Sequence, residues 1–274
     1  MCLVPMEKIK PFLKWAGNKY RCLDNILSSL PPANRLIEPF TGSGAIFMNA
    51  DYSHYLLAEN NMDLVSLFIH LQQEGEGFIN HCEQFFIPPN NCPTQYYLLR
   101  QQFNQCADTR QRAAMFLFLN RHGYNGLCRY NQRGIYNVPF GRYIKPYFPR
   151  REMRCFYQKS QRAIFLHGDF QKTFKEAQPG DLIYCDPPYA PLQQHSNFSA
   201  YTSTKFGEQE QIILATLARD CANRGITVVI SNHDTEFTRH HYQPSEIKSF
   251  PVKRSINCLP NHRVAVQELL AIFR

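Results

Sequence analysis

The chain has 274 residues, 44% hydrophobic and 19% charged, which is the make-up of an ordinary globular protein with ample material for a core rather than a disordered or fibrous one. No apolar run approaches the roughly 20 residues of a bilayer span, the opening residues lack the apolar stretch of a secretory signal, and the ten cysteines are scattered without Cys-x-x-Cys spacing. A membrane protein, a disulfide scaffold and a zinc ribbon are thereby excluded, and reduced thiols in the cytoplasm are expected. The net charge of +8 is uneven: residues 110–162 hold twelve of the thirty basic residues and one of the 22 acids, a local +11 that leaves −3 for the remainder.

In chain order, Arg35 to Phe40 reads as a short buried strand that breaks at Thr41-Gly42-Ser43-Gly44. Ala45 to Asn49 restarts as a helix, and His54 to Glu59 reads as the next strand, which is how a parallel α/β sheet begins. Two glycines directly after a strand let the backbone turn tightly and let a ligand approach closely. A dinucleotide fingerprint would want a third small residue where Phe47 stands, so a smaller nucleoside cofactor fits better than NAD or FAD. Glu59, ending the second strand, stands where such a site places its ribose-binding acid.

Apolar residues then fall at helical spacing (Leu64, Leu67, Phe68, Leu71; Ala113, Phe116, Leu117, Leu119), followed by a polar stretch rich in Gly, Asn, Arg and Tyr. Tyr124, Tyr130, Tyr136, Tyr143, Tyr147, Phe148 and Tyr157 lie among the cations, a mixture suited to stacking on bases while gripping phosphates. Charge alone fits a solvated basic face equally well. Strand signals return at 163–167, 182–185 and 226–231, with a long helix at about 207–224, and residues 264–273 are expected to close the sheet as an edge strand. Asp186-Pro187-Pro188-Tyr189 follows the strand at 182–185 at its carboxyl end, where open α/β sheets place their active sites. A carboxylate and a proline carbonyl there can accept both N–H bonds of an exocyclic amine while the tyrosine ring stacks on the base; the plainer reading is a rigid turn.

The two motifs together resemble those of the amino-group DNA methyltransferases, in the alpha-class order of cofactor loop, basic insert and catalytic loop. Phe12 to Gly17, Asn120 to Asn131, Asn137 to Tyr143 and Ser231 to Asp234 are further similar to signatures of the Dam family of GATC-specific adenine-N6 methyltransferases, so that the resemblance covers nearly the whole chain. It implies a Rossmann-like α/β sheet that binds S-adenosylmethionine, formed by residues 1–61 and 150–274, with a mainly helical target-recognition domain inserted at 62–149. It implies transfer of a methyl group to N6 of a flipped adenine in GATC within double-stranded DNA, without a metal, by a cytoplasmic, nucleoid-associated monomer.

Carried onto this sequence, the resemblance makes Asp186, Pro187, Pro188 and Tyr189 catalytic. It gives the cofactor Trp15, Lys19, Phe40, Gly42, Gly44, Glu59, Asp169, Phe170 and Asp186. It assigns Lys14 to base contact, Tyr124 to the wedge in the stack, Asn125 to the side of the flipped adenine, and Leu127, Arg129, Pro139 and Tyr143 to reading neighbouring bases. Asn197 to Tyr201 resembles the family's hairpin over the active site. Asn18 replaces a glycine common in the N-terminal signature, and Leu259 to Arg263 stands where a Gly-rich turn is frequent. His122 and His233 are expected to pack within their motifs. Two other readings are methylation of an amino group in RNA or a protein side chain, and a DNA-binding regulator with a vestigial cofactor pocket. Asp186 argues against the first, because glutamine-modifying relatives usually carry Asn there; the intact glycine and Asp-Pro-Pro-Tyr motifs argue against the second. Service to replication and mismatch repair, or to a restriction partner, is left open by the motifs.

Overall fold

The computed structural model describes residues 7–189, 206–253 and 265–274. In chain order the elements are α1 (Leu23–Leu27), β1 (Arg35–Glu38), α2 (Ala45–Asn49), β2 (His54–Glu59), α3 (Met62–Glu74), α4 (Glu76–Glu83), α5 (Pro93–Gln105), α6 (Thr109–His122), α7 (Arg150–Ser160), β3 (Ala163–His167), α8 (Phe170–Lys175), β4 (Asp181–Cys185), α9 (Glu208–Asn223), β5 (Thr227–His233), α10 (Glu236–His241), β6 (Glu246–Lys253) and β7 (Ala265–Phe273). They group into two compact units: residues 1–23, 42–51 and 61–165, and residues 24–41, 52–60 and 166–274.

The second unit is built on the sheet, whose strand order is β3-β2-β1-β4-β5-β7-β6. Strands β2, β1, β4 and β5 run parallel, and β7 pairs antiparallel with both β5 and β6. The chain is therefore α/β, as the alternation of strand and helix signals implied. Leu182 to Cys185 and Val228 to Ile230 are buried throughout, as expected of central parallel strands covered on both faces. On α9, Leu214, Ala215, Ala218 and Cys221 recur at helical spacing and pack into the same core as Ile183, Cys185, Val228 and Ile230. The paired residues Arg35 and Asp181 lock the starts of β1 and β4 through two hydrogen bonds of 3.2 and 2.6 Å. Strand order reverses between β1 and β4, so the loops leaving their carboxyl ends open side by side at a topological switch point.

Two expectations are corrected. Strand β1 ends at Glu38 rather than running to Phe40, because Pro39 has no N–H to continue the ladder. The last strand is not an edge: β7 lies between β5 and β6, with Leu269 to Phe273 all buried, whereas β6 forms the edge. The sequence of β6, with Glu246, Lys248 and Pro251 interrupting its apolar residues, has the charges and proline by which edge strands resist further pairing. It has no clean alternation to announce it.

The first unit is mainly helical. Residues Ala113 to Asn120 of α6 are buried all round, the signature of a central helix, and Asn61 and Asp108 cap α3 and α6 by accepting backbone N–H bonds. Phe12, Phe47, Phe68 and Phe156 form an aromatic nucleus, with Phe156 stacked on Phe68 at 4.7 Å and edge-on to Phe12 at 5.1 Å and to Phe47 at 5.3 Å. Residues 123–149 contain little regular structure. Their backbone groups are met by α5 instead: Tyr96 Oη and Arg100 Nη1 donate to the Val138 carbonyl, and Asn104 exchanges two bonds with the Tyr136 backbone.

Candidate active site

In the second unit, Asp186 to Tyr189 leaves the carboxyl end of β4 and is tied to β5 alongside. The Ser231 hydroxyl lies 3.1 Å from Asp186 Oδ1, and Tyr184 Oη donates to Ser231 Oγ at 3.1 Å. Gln211 of α9 donates to the Pro188 carbonyl at 2.7 Å. Tyr189 Oη donates to Glu268 of β7 at 3.0 Å, and its ring meets the His233 ring edge-on at 4.7 Å. Burial, reinforced by the Asp186 and Glu268 charges, holds the Tyr189 phenol well above its usual range, so it stays a neutral donor. The loop thus offers a half-buried carboxylate and consecutive proline carbonyls, all acceptors, beside a fixed aromatic ring. That set suits a planar amine-bearing substrate.

At the end of β1 in the same unit, Phe40 stacks on Phe170 at 5.3 Å, and Phe206 packs edge-on to Phe40 at 5.5 Å. The Glu59 carbonyl accepts from Gly168 N at 3.2 Å, which sets the end of β2 beside the turn carrying Asp169. The Glu59 carboxylate accepts from Asn60 N at 2.9 Å, and Asp169 caps α8 by accepting from Gln171 N at 2.8 Å. In the first unit, Gly42 and Gly44 both adopt positive φ, +51° and +73°. A Cβ on Gly42 would stand 3.1 Å from the Trp15 indole, so the ring lies directly over the bare backbone. Lys19 is buried and its ammonium donates to the Gly17 carbonyl at 2.9 Å.

The first unit also gathers residues assigned to DNA. The Lys14 backbone exchanges two bonds with the Asn120 amide, its stem packs where a Gly126 Cβ would stand, and its ammonium lies 3.6 Å from the centre of the Tyr143 ring. Burial, with the Arg121 charge adding to it, lowers the Lys14 amine to about 8. Tyr124, half exposed, donates its backbone N–H to Pro139, and Asn125 adopts a left-handed conformation at φ +52° between Tyr124 and Gly126. The Leu127 carbonyl accepts from Tyr136 Oη. Arg129 donates through Nε to Asn137 Oδ1 at 2.7 Å and through Nη2 to the Asn137 carbonyl at 3.2 Å, which sets the plane of its guanidinium. Lys14, Tyr143 and the 124–127 turn are brought together, as are Tyr124 and Pro139.

The +11 segment is less available than its sequence suggests. Acids from elsewhere in the same unit pair with it: Glu74 with Arg110, Asp63 with Arg112, Glu76 and Glu83 with Arg150, Glu7 with Arg151, Glu76 with Arg154 and Asp51 with Arg162. Arg121 donates to the Tyr147 carbonyl, and Lys159 to the Met48 and Ala50 carbonyls. Arg133, Arg142 and Lys145 are exposed and enter no ion pair among the described residues. The cations between the aromatics, not those of α7, are left to face a polyanion.

His122 is buried, donates through its Nδ1–H to the Phe118 carbonyl, and stacks on Phe118 at 3.9 Å; burial lowers it to about 4, so it is a neutral packing residue. Sequence reasoning did not find Gln211 or Glu268, which carry no local motif, and gave His233 no more than a packing role. The hairpin assigned to Asn197 to Tyr201, and Leu259 to Arg263, lie outside the described residues. Among the described residues no three His, Cys, Asp or Glu side chains assemble into a metal-ligand group, and no helix is long and apolar enough to cross a membrane.

A family model for the D12 class of N6 adenine-specific DNA methyltransferases matches residues 15–256. A DNA adenine methylase of Haemophilus influenzae is 48% identical over 274 residues, covering 99% of this chain and 96% of that protein. DNA adenine methylases of Escherichia coli K12 and of Vibrio cholerae are each 45% identical over 269 residues, covering 98% of this chain and 97% of theirs.

Proposed function

The chain belongs to the D12 class of N6 adenine-specific DNA methyltransferases, and from that footing we propose that it methylates N6 of an adenine swung out of duplex DNA, at GATC, using S-adenosylmethionine. The observation that carries this reading is the Asp186–Tyr189 loop, fixed at the switch point of the sheet by bonds from β5, α9 and β7. Residues 1–61 and 150–274 serve the cofactor and the chemistry, and residues 62–149 read the target. The enzyme acts as a cytoplasmic monomer on the nucleoid.

The residues present fit the cofactor. Within the first unit, Gly42 leaves the space under Trp15 that any side chain would fill; within the second, Phe40 and Phe170 offer stacked aromatic faces beside the Glu59 and Asp169 turns. When bound, S-adenosylmethionine supplies its sulfonium methyl for direct displacement by adenine N6. An adenine amine is a poor nucleophile because its lone pair is delocalised into the ring. Hydrogen bonds from N6–H to Asp186 and the Pro187 carbonyl localise that pair and aim it, while Tyr189 holds the ring face. The proton leaves after transfer, so alignment rather than a strong base does the work. Tyr124 fills the gap left by the extruded base, offsetting part of an unstacking cost of a few kcal/mol.

Incubating the protein with tritiated S-adenosylmethionine and either GATC or scrambled duplexes tests the reading. Label confined to GATC supports it; equal label on both, or none, ends it. Gly42→Val is expected to weaken S-adenosylmethionine binding about 10- to 100-fold, because at φ +51° a branched side chain drives into the Trp15 ring. Calorimetry reads the affinity, and unchanged binding would remove Gly42 from the cofactor site. A pH dependence follows from Lys14. Its amine is held near 8, so the ammonium that contacts a base is present below that pH and lost above it. The kcat/KM for GATC should therefore fall as pH rises through about 8, and Lys14→Arg should remove that inflection.

A further inference from the structure

Consecutive residues of β5 support the Asp-Pro-Pro-Tyr loop on opposite faces of the sheet, Ser231 directly and Asn232 through Gln211. Ser231 and Asn232 are both fully buried, and their side chains point to opposite sides because strand side chains alternate. On one face, Ser231 Oγ accepts from the buried phenol of Tyr184 at 3.1 Å. Burial keeps that phenol protonated, so its hydrogen occupies the serine oxygen and turns the serine's own hydrogen outward. The Asp186 carboxylate at 3.1 Å and the Cys185 carbonyl at 3.3 Å are in reach of it, and the Tyr189 oxygen is a further partner. The carboxylate is both nearer and charged, and takes the stronger bond.

On the other face, Gln211 Oε1 accepts from Asn232 Nδ2 at 3.1 Å and from Tyr242 Oη at 2.9 Å. The Tyr242 oxygen in turn accepts from Asn232 Nδ2 at 2.8 Å, and all three side chains are buried. With its oxygen so engaged, the Gln211 amide can present only its NH2 to the loop, and it does so at the Pro188 carbonyl, 2.7 Å away.

We propose that Ser231 and Gln211 are positioning residues for methyl transfer: Ser231 sets the rotation of the Asp186 carboxylate, and Gln211 anchors the Pro188 carbonyl so that the Pro187 carbonyl is carried at a fixed angle beside it. Neither touches the substrate. Together they hold the two acceptors of the adenine amine in register before DNA arrives. The inference rests on the adenine-N6 reading of the same loop.

Its test is a single-turnover assay at saturating S-adenosylmethionine and GATC duplex, with separate measurement of both dissociation constants. Ser231→Ala and Gln211→Met should each slow transfer about 10- to 100-fold while both affinities stay within about threefold of wild type, because a small misalignment of the acceptors acts on the chemical step. Tyr184→Phe should also slow transfer, and should add nothing in the Ser231→Ala background, since the phenol acts only through the serine. A rate within twofold of wild type in Ser231→Ala, additive losses in the double variant, or losses matched by weakened binding would overturn the proposal. Should Ser231→Ala fail to fold, Tyr184→Phe alone decides: it removes a single oxygen, and wild-type rate there refutes the relay. A wild-type protein that labels no duplex overturns the adenine-N6 reading itself, whereas an active wild type with unaffected variants overturns the clamp alone.

Discussion

Asp186→Ala is expected to lower the methyl-transfer rate by about a thousandfold or more, leaving duplex binding within about twofold, because in the proposed mechanism it deletes an acceptor of the reacting amine rather than a contact to the DNA backbone. The size follows from what the loop does. Removing one preorganised hydrogen-bonding partner at a reacting centre commonly costs about 10²- to 10³-fold. Here the loss is compounded, because the Ser231 hydroxyl, 3.1 Å from Asp186 Oδ1, is left without the carboxylate it orients. Asp186→Asn keeps the shape but places an NH2 where an acceptor is needed in one of its two orientations, so it should retain more activity than alanine and much less than wild type. Single-turnover labelling with defined duplexes, beside fluorescence anisotropy for binding, separates the two effects. Unchanged turnover in Asp186→Ala would remove this mechanism.

Arg129→Ala should relax discrimination at one base pair by about 10- to 100-fold while weakening binding to unrelated duplexes only slightly, since a bidentate fork on guanine O6 and N7 contributes about 1–3 kcal/mol of discrimination. The structure adds a reason for the upper part of that range. Two bonds to Asn137 set the plane of the guanidinium, so little side-chain freedom is left to lose on binding. Arg129→Lys should not restore discrimination, because a point charge lacks the fork. Competition among duplexes bearing each substitution of the target provides the measurement. A loss spread evenly over all sequences would reassign Arg129 to phosphate contact. By the same logic the salt dependence of binding should reside in Arg133, Arg142 and Lys145 rather than in Arg150, Arg151 or Arg154, which are engaged by Glu76, Glu83 and Glu7.

Much of the architecture was legible because it depends on short-range order. Thr41 to Gly44 announces itself by glycines after an apolar strand, and Asp186 to Tyr189 by a rigid polar tetrapeptide after another. Both motifs lie at carboxyl ends of neighbouring strands, as parallel α/β topology requires. The helix at 208–223 and the strands ending at Glu59, His167 and Cys185 follow from periodicity alone. The placement of β7 was not legible. A buried apolar run can be central or can pair at an edge covered by helices, and only the antiparallel return of β6 on its far side decides which.

The sequence by itself determined the chemical groups, namely the acceptors of Asp186 and its prolines, the bare backbone of Gly42 and the aromatic-basic character of residues 110–162, because each is a property of residue type and local spacing. Tertiary structure decided how those groups are used. Ser231 and Gln211 reach the loop from 45 and 23 residues away, and Glu268 reaches Tyr189 from 79, through strand register and helix packing that no local pattern encodes. It also decided which cations remain available, since Glu7, Asp51, Asp63, Glu74, Glu76 and Glu83 are brought against arginines that share no local motif with them. Charge counts add along a chain, but the field a ligand meets depends on which charges already face one another across a few ångströms.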